Sequence, residues 1–275
     1  MTPPHDDDLI RFAAEGAPPL PAAAEQGQLE HDGARSWFAV YGTGTPVVLL
    51  HGGLGHSGNW GNQVPALVDA GCRVVVLDTR GHGRSTRDER PFGYELLAAD
   101  VLAVLDTVGV ARAALVGWSD GACTAMVLAR HAPARVSGVF FFACNMDPSG
   151  TKEFQSTPVV DRCFARHTKD YASLSATPDG FRELVEAVTR MQRTEPDYTA
   201  HELTQLRVPV TIAHSEHDEF ITREHAEYLA RTVPGAELAI LPGVSHFAPL
   251  QRPEVFNTAM LSLVSRTANG NRPSS

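Results

Sequence analysis

The chain has 275 residues, 23 lysines and arginines against 32 aspartates and glutamates, and a formal net charge of -9. That length suits one large α/β domain carrying an insertion and a substantial core. The acidic balance argues against a general nucleic-acid binder or a partner of anionic membrane, and no apolar run approaches the roughly 18 residues of a membrane helix.

Residues 1–24 begin polar and acidic and continue into the Ala/Pro run APPLPAAA. They read as a loose N-terminal arm, with a short helix over 9–14 that docks on the domain. No apolar segment of the export type precedes the domain, so the expectation is a cytoplasmic protein. Residues 28–32 and 35–41 predict a hairpin around Gly33. Residues 47–50 are a wholly apolar run and a buried strand candidate. The glycine-rich stretch HGGLGHSGNWG follows, then a helix carrying Val64, Leu67 and Val68 that stops at Gly71. Residues 73–77 are the next buried strand, closed by DTRGHGRS. Apolar positions 97, 101, 104, 105 and 108 mark one face of a helix over 94–108, ended by Gly109.

Residues 113–116 predict another strand, 122–130 a helix, and 136–143 a further strand. This alternation of short buried runs with helices is the signature of a parallel sheet covered on both faces. The rhythm lapses over 145–206, where helices near 158–170, 178–193 and 198–206 are separated by Ser, Thr and Pro. Too long for an ordinary loop, this segment reads as a helical cap inserted in a core of 25–144 and 207–268. Strands at 208–214 and 236–241 and helices at 223–233 and 254–264 complete the core. Residues 269–275 form a polar tail. Cys72, Cys123, Cys144 and Cys163 have no C-x-x-C pairing and read as buried free thiols.

The chemistry concentrates at residues 117–121, GWSDG, between the 113–116 strand and the 122–130 helix. A serine between glycines where a strand turns into a helix has the geometry of a nucleophile elbow, although alone the pattern also fits a plain turn. A serine hydroxyl needs a base, and the base needs an orienting group. Asp218, in HSEHDEFI, and His246, in PGVSHFAPL, lie just past successive strands whose ends meet at one sheet edge. Ser119, Asp218 and His246 also stand in the order expected for this kind of sheet. Glu216 and Glu219 compete with Asp218 for the acid's place. Oxyanion donors are expected from the backbone N–H groups of Asp120 and Gly53, with Leu54 as the alternative to Gly53. The Asp120 carboxylate would pair with a nearby arginine, make a structural hydrogen bond, or hold a cationic group of a substrate.

His51 is expected to brace its loop, and Asp78, Arg80, His82 and Arg84 to form a salt-bridged support. Leu54 and Trp118 are candidate pocket residues, and the cap aromatics Phe154, Phe164 and Tyr171 are further candidates in no order. No nucleotide motif or zinc-enzyme spacing is present, so neither cofactor nor metal is expected.

Together, HGG at 51–53, DTRGHGRS at 78–85, GWSDG at 117–121, Asp218 and PGVSHF at 242–247 resemble the α/β-hydrolase superfamily over about residues 30–265. The resemblance implies an eight-stranded, mostly parallel sheet with a variable helical cap after the sixth strand. It also implies Ser119 as nucleophile, His246 as base and Asp218 as orienting acid. GWSDG is similar to the elbow of valacyclovirase-like and biphenyl-hydrolase-like esterases, although Ala122 stands where a further glycine is common in that group. Serine rather than aspartate at the elbow argues against dehalogenase and epoxide-hydrolase chemistry. The expected activity is hydrolysis of a small-molecule ester through an acyl-enzyme. The rivals are a lactonase, thioesterase, amidase, carbon–carbon hydrolase or perhydrolase with the same triad, and a non-catalytic ligand receptor. Beyond the substrate no macromolecular partner is expected, other than a second copy in a homodimer.

Overall fold

The apolar runs become inner strands because β-branched and aromatic side chains on both faces are buried by flanking helices. The computed structural model describes residues 7–269; the expected arm's residues 1–6 and the tail's 270–275 lie outside them. The first half runs α1 (Asp7–Glu15), β1 (Glu25–His31), β2 (Ala34–Tyr41), β3 (Thr45–Leu50), α2 (Gln63–Asp69), β4 (Cys72–Leu77), α3 (Tyr94–Thr107), β5 (Ala113–Trp118), α4 (Asp120–His131) and β6 (Val136–Phe142). An insertion carries α5 (Pro158–Leu174), α6 (Phe181–Thr194) and α7 (Ala200–Leu203). The chain then returns through β7 (Val210–His217), α8 (Arg223–Thr232), β8 (Glu237–Ser245), α9 (Ala248–Gln251) and α10 (Pro253–Asn269).

Among the described residues, eight strands form one sheet in the order β1-β2-β4-β3-β5-β6-β7-β8. β1 with β2 and β2 with β4 pair antiparallel; the pairings from β4 across to β8 are parallel. The architecture is thus α/β, with a mostly parallel eight-stranded sheet, helices on both faces and a helical insertion after β6. The β1–β2 hairpin turns through Asp32 and Gly33, both at positive φ (45° and 80°), the backbone that a tight two-residue turn demands.

Side chains alternate across the sheet with the strand's period of two. Along β6, Phe140 and Phe142 join the layer that holds Leu67 of α2 and Phe256 of α10, whereas Phe141 joins Leu97 of α3 and Met126 of α4. Phe256 meets Phe140 and Phe142 edge to face, with ring centroids 5.4 and 5.1 Å apart, an arrangement that adds about 0.5–1.5 kcal/mol per pair beyond area burial. All four cysteines are buried, and none is in a disulfide among the described residues.

Strand bounds shift from the sequence expectation at β1, which starts at Glu25 rather than 28, at β7, which runs Val210–His217 rather than 208–214, and at the last strand. β8 continues through Pro242 and Gly243 to Ser245 rather than ending at 241, with a register shift opposite Ser215 and His217. The Glu216 carboxylate accepts the Gly243 N–H at 2.8 Å, which holds the extra residues in place.

Candidate active site

β5 delivers Ser119 to the head of α4 in a strained conformation, φ 53° and ψ −124°. A non-glycine residue at positive φ costs on the order of 1–3 kcal/mol and persists only where its surroundings enforce it. Here the enforcement is close packing. A Cβ on Gly117 would collide with the Ala122 backbone, and one on Gly121 with the Leu50 carbonyl. Serine at the N-cap position of a helix usually spends its hydroxyl on a backbone N–H. Ser119 makes no such side-chain cap, so its Oγ is not committed to the helix.

β7 and β8 end at the same sheet edge as β5 and carry Asp218 and His246 together. His246 Nδ1 lies 3.0 Å from Asp218 Oδ2 and 3.2 Å from Oδ1, with both side chains buried. Asp218 Oδ1 also accepts the backbone N–H groups of Phe220 (2.9 Å) and Ile221 (2.8 Å). Burial works against the carboxylate's charge, but His246 and these donors outweigh it and hold its pKa below the ordinary value. Burial likewise works against a charged His246, and the carboxylates of Asp218, Glu219 and Asp120 outweigh it, raising the imidazole above its ordinary value. The two competing carboxylates serve the backbone instead. Glu219 accepts the His246 N–H at 2.8 Å, and Glu216 holds Gly243 as described. The sequence signalled an acidic crowd around Asp218, but not this division of labour.

The acid's loop is clamped by the first residues of the insertion. Thr151 bridges Ile221 antiparallel, Thr222 N–H donates to Gly150 O (2.9 Å), and Lys152 N–H donates to Phe220 O (2.7 Å). Lys152 Nζ adds a hydrogen bond to Asp218 O at 2.6 Å.

The oxyanion candidates converge. Asp120 is the first residue of α4, so its N–H has no partner within the helix. The loop after β3 passes so close that a Cβ on Gly52 would stand 3.2 Å from Ser119 Cβ, and one on Gly53 2.5 Å from Asp120 Oδ2. Leu54 turns at φ 64° and packs partly buried against the core. His51 braces this loop: its Nδ1 donates to Gly52 O (2.8 Å) and its Nε2 accepts the Thr79 N–H (3.0 Å). Burial lowers its pKa to about 4, so it is neutral in that role. Asp78 accepts the N–H groups of Ser57 and Arg84 and pairs with Arg84 Nη1 at 3.1 Å, while the fully buried Arg80 pairs with Asp100.

The Asp120 carboxylate is already engaged, by a tyrosine and an amide rather than an arginine. Oδ1 accepts from Tyr94 OH at 2.8 Å, and both oxygens accept from Gln192 Nε2 at 3.0 Å. Burial raises its pKa, with Gln192 and Tyr94 opposing the rise. Gln192 belongs to α6, so this contact ties the insertion to the elbow. Two more ties run alongside it. Glu195 accepts the Tyr94 N–H at 2.8 Å, supplying a carboxylate at the head of α3 where Gly93 has no side chain to cap it. Asp170 of α5 meets His56 of the oxyanion loop at 3.3 Å and Arg166 at 2.8 Å. Nothing in the spacing of Tyr94, Asp170, Gln192 or Glu195 announced these roles, since each depends on how the insertion docks.

Trp118 is 2% exposed, and its ring lies 6.1 Å from that of His246, so it buttresses the imidazole from the core side. Tyr171 packs on Phe181 beside a cleft of about 850 Å³ between the 81–92 loop and the insertion, a cleft not lined by Ser119, Asp218 or His246. Among the described residues, no group of three or more His, Cys, Asp or Glu is placed to hold a metal ion.

A strained serine at a strand–helix turn, a buried imidazole–carboxylate couple and a glycine loop at one edge of this sheet define an α/β-hydrolase site. The family model described as the alpha/beta hydrolase fold matches residues 45–161. The chain is 29% identical to the dihydrolipoyllysine-residue acetyltransferase component of the acetoin cleaving system of Pseudomonas putida, over 92% of this chain and 73% of that one. It is 26% identical to human serine hydrolase BPHL, over 82% of this chain and 81% of the relative. Among solved structures it is similar to Est816, described as an N-acyl homoserine lactone degrading enzyme, with 26% identity and a TM-score of 0.68 over 86% of this chain and 99% of that one. The chain thus has the α/β-hydrolase fold, and it is similar to serine hydrolases of the biphenyl-hydrolase-like kind. It is a carboxylic-ester-hydrolase-like enzyme, and its reaction is of the serine-hydrolase type on a small-molecule substrate.

Proposed function

We propose that the chain hydrolyses a small-molecule carboxylic ester through an acyl-enzyme on Ser119. The observation that supports this most is the strained, uncapped Ser119 at the same sheet edge as the buried His246–Asp218 couple. Asp218 accepts the Nδ1 proton of His246, which leaves Nε2 as the basic nitrogen. Nε2 takes the proton as Ser119 Oγ attacks the ester carbonyl, and the N–H groups of Asp120 and Gly53 hold the oxyanion. The imidazolium returns that proton to the departing alcohol. Water then repeats the sequence on the acyl-enzyme and frees the acid. Residues 145–206 act as a cap over this edge, with 25–144 and 207–268 as the core.

Ser119→Ala should abolish covalent labelling by a fluorophosphonate and turnover of short p-nitrophenyl esters. Labelling of the variant equal to that of the wild type would refute the assignment. A cyclic ester is the second reading, supported by the 26% identity to the lactone-degrading Est816. A panel of open-chain esters, lactones, thioesters and amides ranks the two by kcat/KM.

A further inference from the structure

One phenyl ring stands beside the imidazole and two more lie against that ring, and only part of their surface is used in packing. Phe220, two residues after Asp218, is half-buried and meets the His246 ring edge-on with centroids 4.7 Å apart. Phe164 of α5 lies nearly parallel to it, at 6.5 Å and 17°. Phe154 lies nearly parallel to it as well, at 6.3 Å and 20°, yet remains 61% exposed. Its chain neighbours Lys152, Glu153, Gln155 and Ser156 are all exposed and polar. The Phe220 backbone is fixed on both sides, by its N–H to Asp218 Oδ1 and by its carbonyl from Lys152 N–H. Phe154 follows two residues later, so the clamp on the acid's loop also sets the position of this ring.

Parallel rings with centroids 4.5–7 Å apart favour a further flat apolar group over a bulky one, because a planar π-system can offset-stack on them. The group nearest the imidazole during acyl transfer is the departing alcohol, since His246 must protonate its oxygen. We propose that Phe154, Phe164 and Phe220 form a leaving-group subsite for a planar aromatic alcohol, so that the substrate is an aryl or arylmethyl ester. This rests on the ester-hydrolase reading above. In the step concerned, the Ser119 Oγ–carbonyl carbon bond forms and the bond to the arylmethyl oxygen breaks. The serine proton passes through His246 to that oxygen, and the arylmethyl alcohol leaves.

The test compares benzyl acetate with cyclohexylmethyl acetate, two primary alkyl esters of similar size that differ in flatness and π-character. The wild-type ratio of kcat/KM, benzyl over cyclohexylmethyl, should be about two- to twelvefold, the worth of one aromatic pair. In Phe154→Leu and Phe164→Leu, which keep apolar bulk and lose the ring, the ratio should fall toward unity. A wild-type ratio of one, or a ratio unchanged in both variants, would overturn the subsite. Fluorophosphonate labelling of Ser119 separates the two readings. A chain that labels but shows no benzyl preference loses the subsite alone, whereas one that neither labels nor turns over either ester loses the hydrolase reading and the subsite together.

Discussion

His246 is surrounded by three carboxylates that raise its pKa against the pull of burial. As the proposed base it works only when neutral, so kcat/KM should climb with pH along a limb whose apparent pKa exceeds the ordinary imidazole value of about 6.5. Glu219→Gln keeps an acceptor for the His246 N–H and removes one charge, so the limb should move to lower pH. Identical profiles for variant and wild type would refute that contribution. The same couple affects stability with the opposite sign. The raised His246 contributes stability below its unfolded value and loses it as pH rises through its folded value. The lowered Asp218 contributes above its unfolded value and loses it as pH falls through its folded one. The couple therefore stabilises the fold most where the base is charged and idle. Asp218→Asn should lower kcat by about 10⁴-fold, by analogy with the loss of the orienting acid in serine proteases, while leaving Ser119 in place.

At the scale of elements, the insertion is held to the sheet's chemistry by polar ties and not only by apolar packing. α6 reaches the elbow through Gln192 and Asp120, α3 receives Glu195, and α5 reaches the oxyanion loop through Asp170 and His56. Tyr94 is shared by the first two, its hydroxyl on Asp120 and its N–H on Glu195. Tyr94→Phe removes one of the donors to a buried carboxylate, which costs about 1.5–3 kcal/mol for a charged acceptor. The melting temperature should fall by several degrees, and a variant that melts with the wild type would show that Gln192 suffices alone. The strands and main helices were legible from the sequence because each follows from a local pattern. Runs such as VVLL and VVVL belong in a buried strand whatever lies above them, and the face at 97, 101, 104, 105 and 108 became α3. The ties were illegible because a glutamine or tyrosine acquires its role only when a distant element docks on it. The same holds for Glu216 and Glu219, whose composition matched the acid's role and whose positions gave them the backbone of the β8 turn.

Across the whole molecule, α1 bridges parts that are far apart in sequence. It packs on α5 of the insertion and on α9 just after His246. Leu9 and Phe12 are its buried anchors, and Arg166 of α5 donates to Ala14 O. Leu9→Ala should lower stability by about 2–5 kcal/mol, read as a lower denaturation midpoint at unchanged slope; an unchanged midpoint would mean that α1 contributes nothing to the fold. A docked helix over 9–14 was expected from the sequence, but not its site of docking. A last consequence follows from the Gly150–Lys152 clamp. The seam between scaffold and insertion does not fall at the end of β6: the insertion's opening residues hydrogen-bond the loop that carries Asp218. A transplant cut at the strand's end would remove part of the acid's support together with the old pocket. One cut after Lys152 would exchange the pocket and leave that support behind. Inherited change in substrate range is therefore least costly on this chain beyond residue 152, where Phe154 and Phe164 lie.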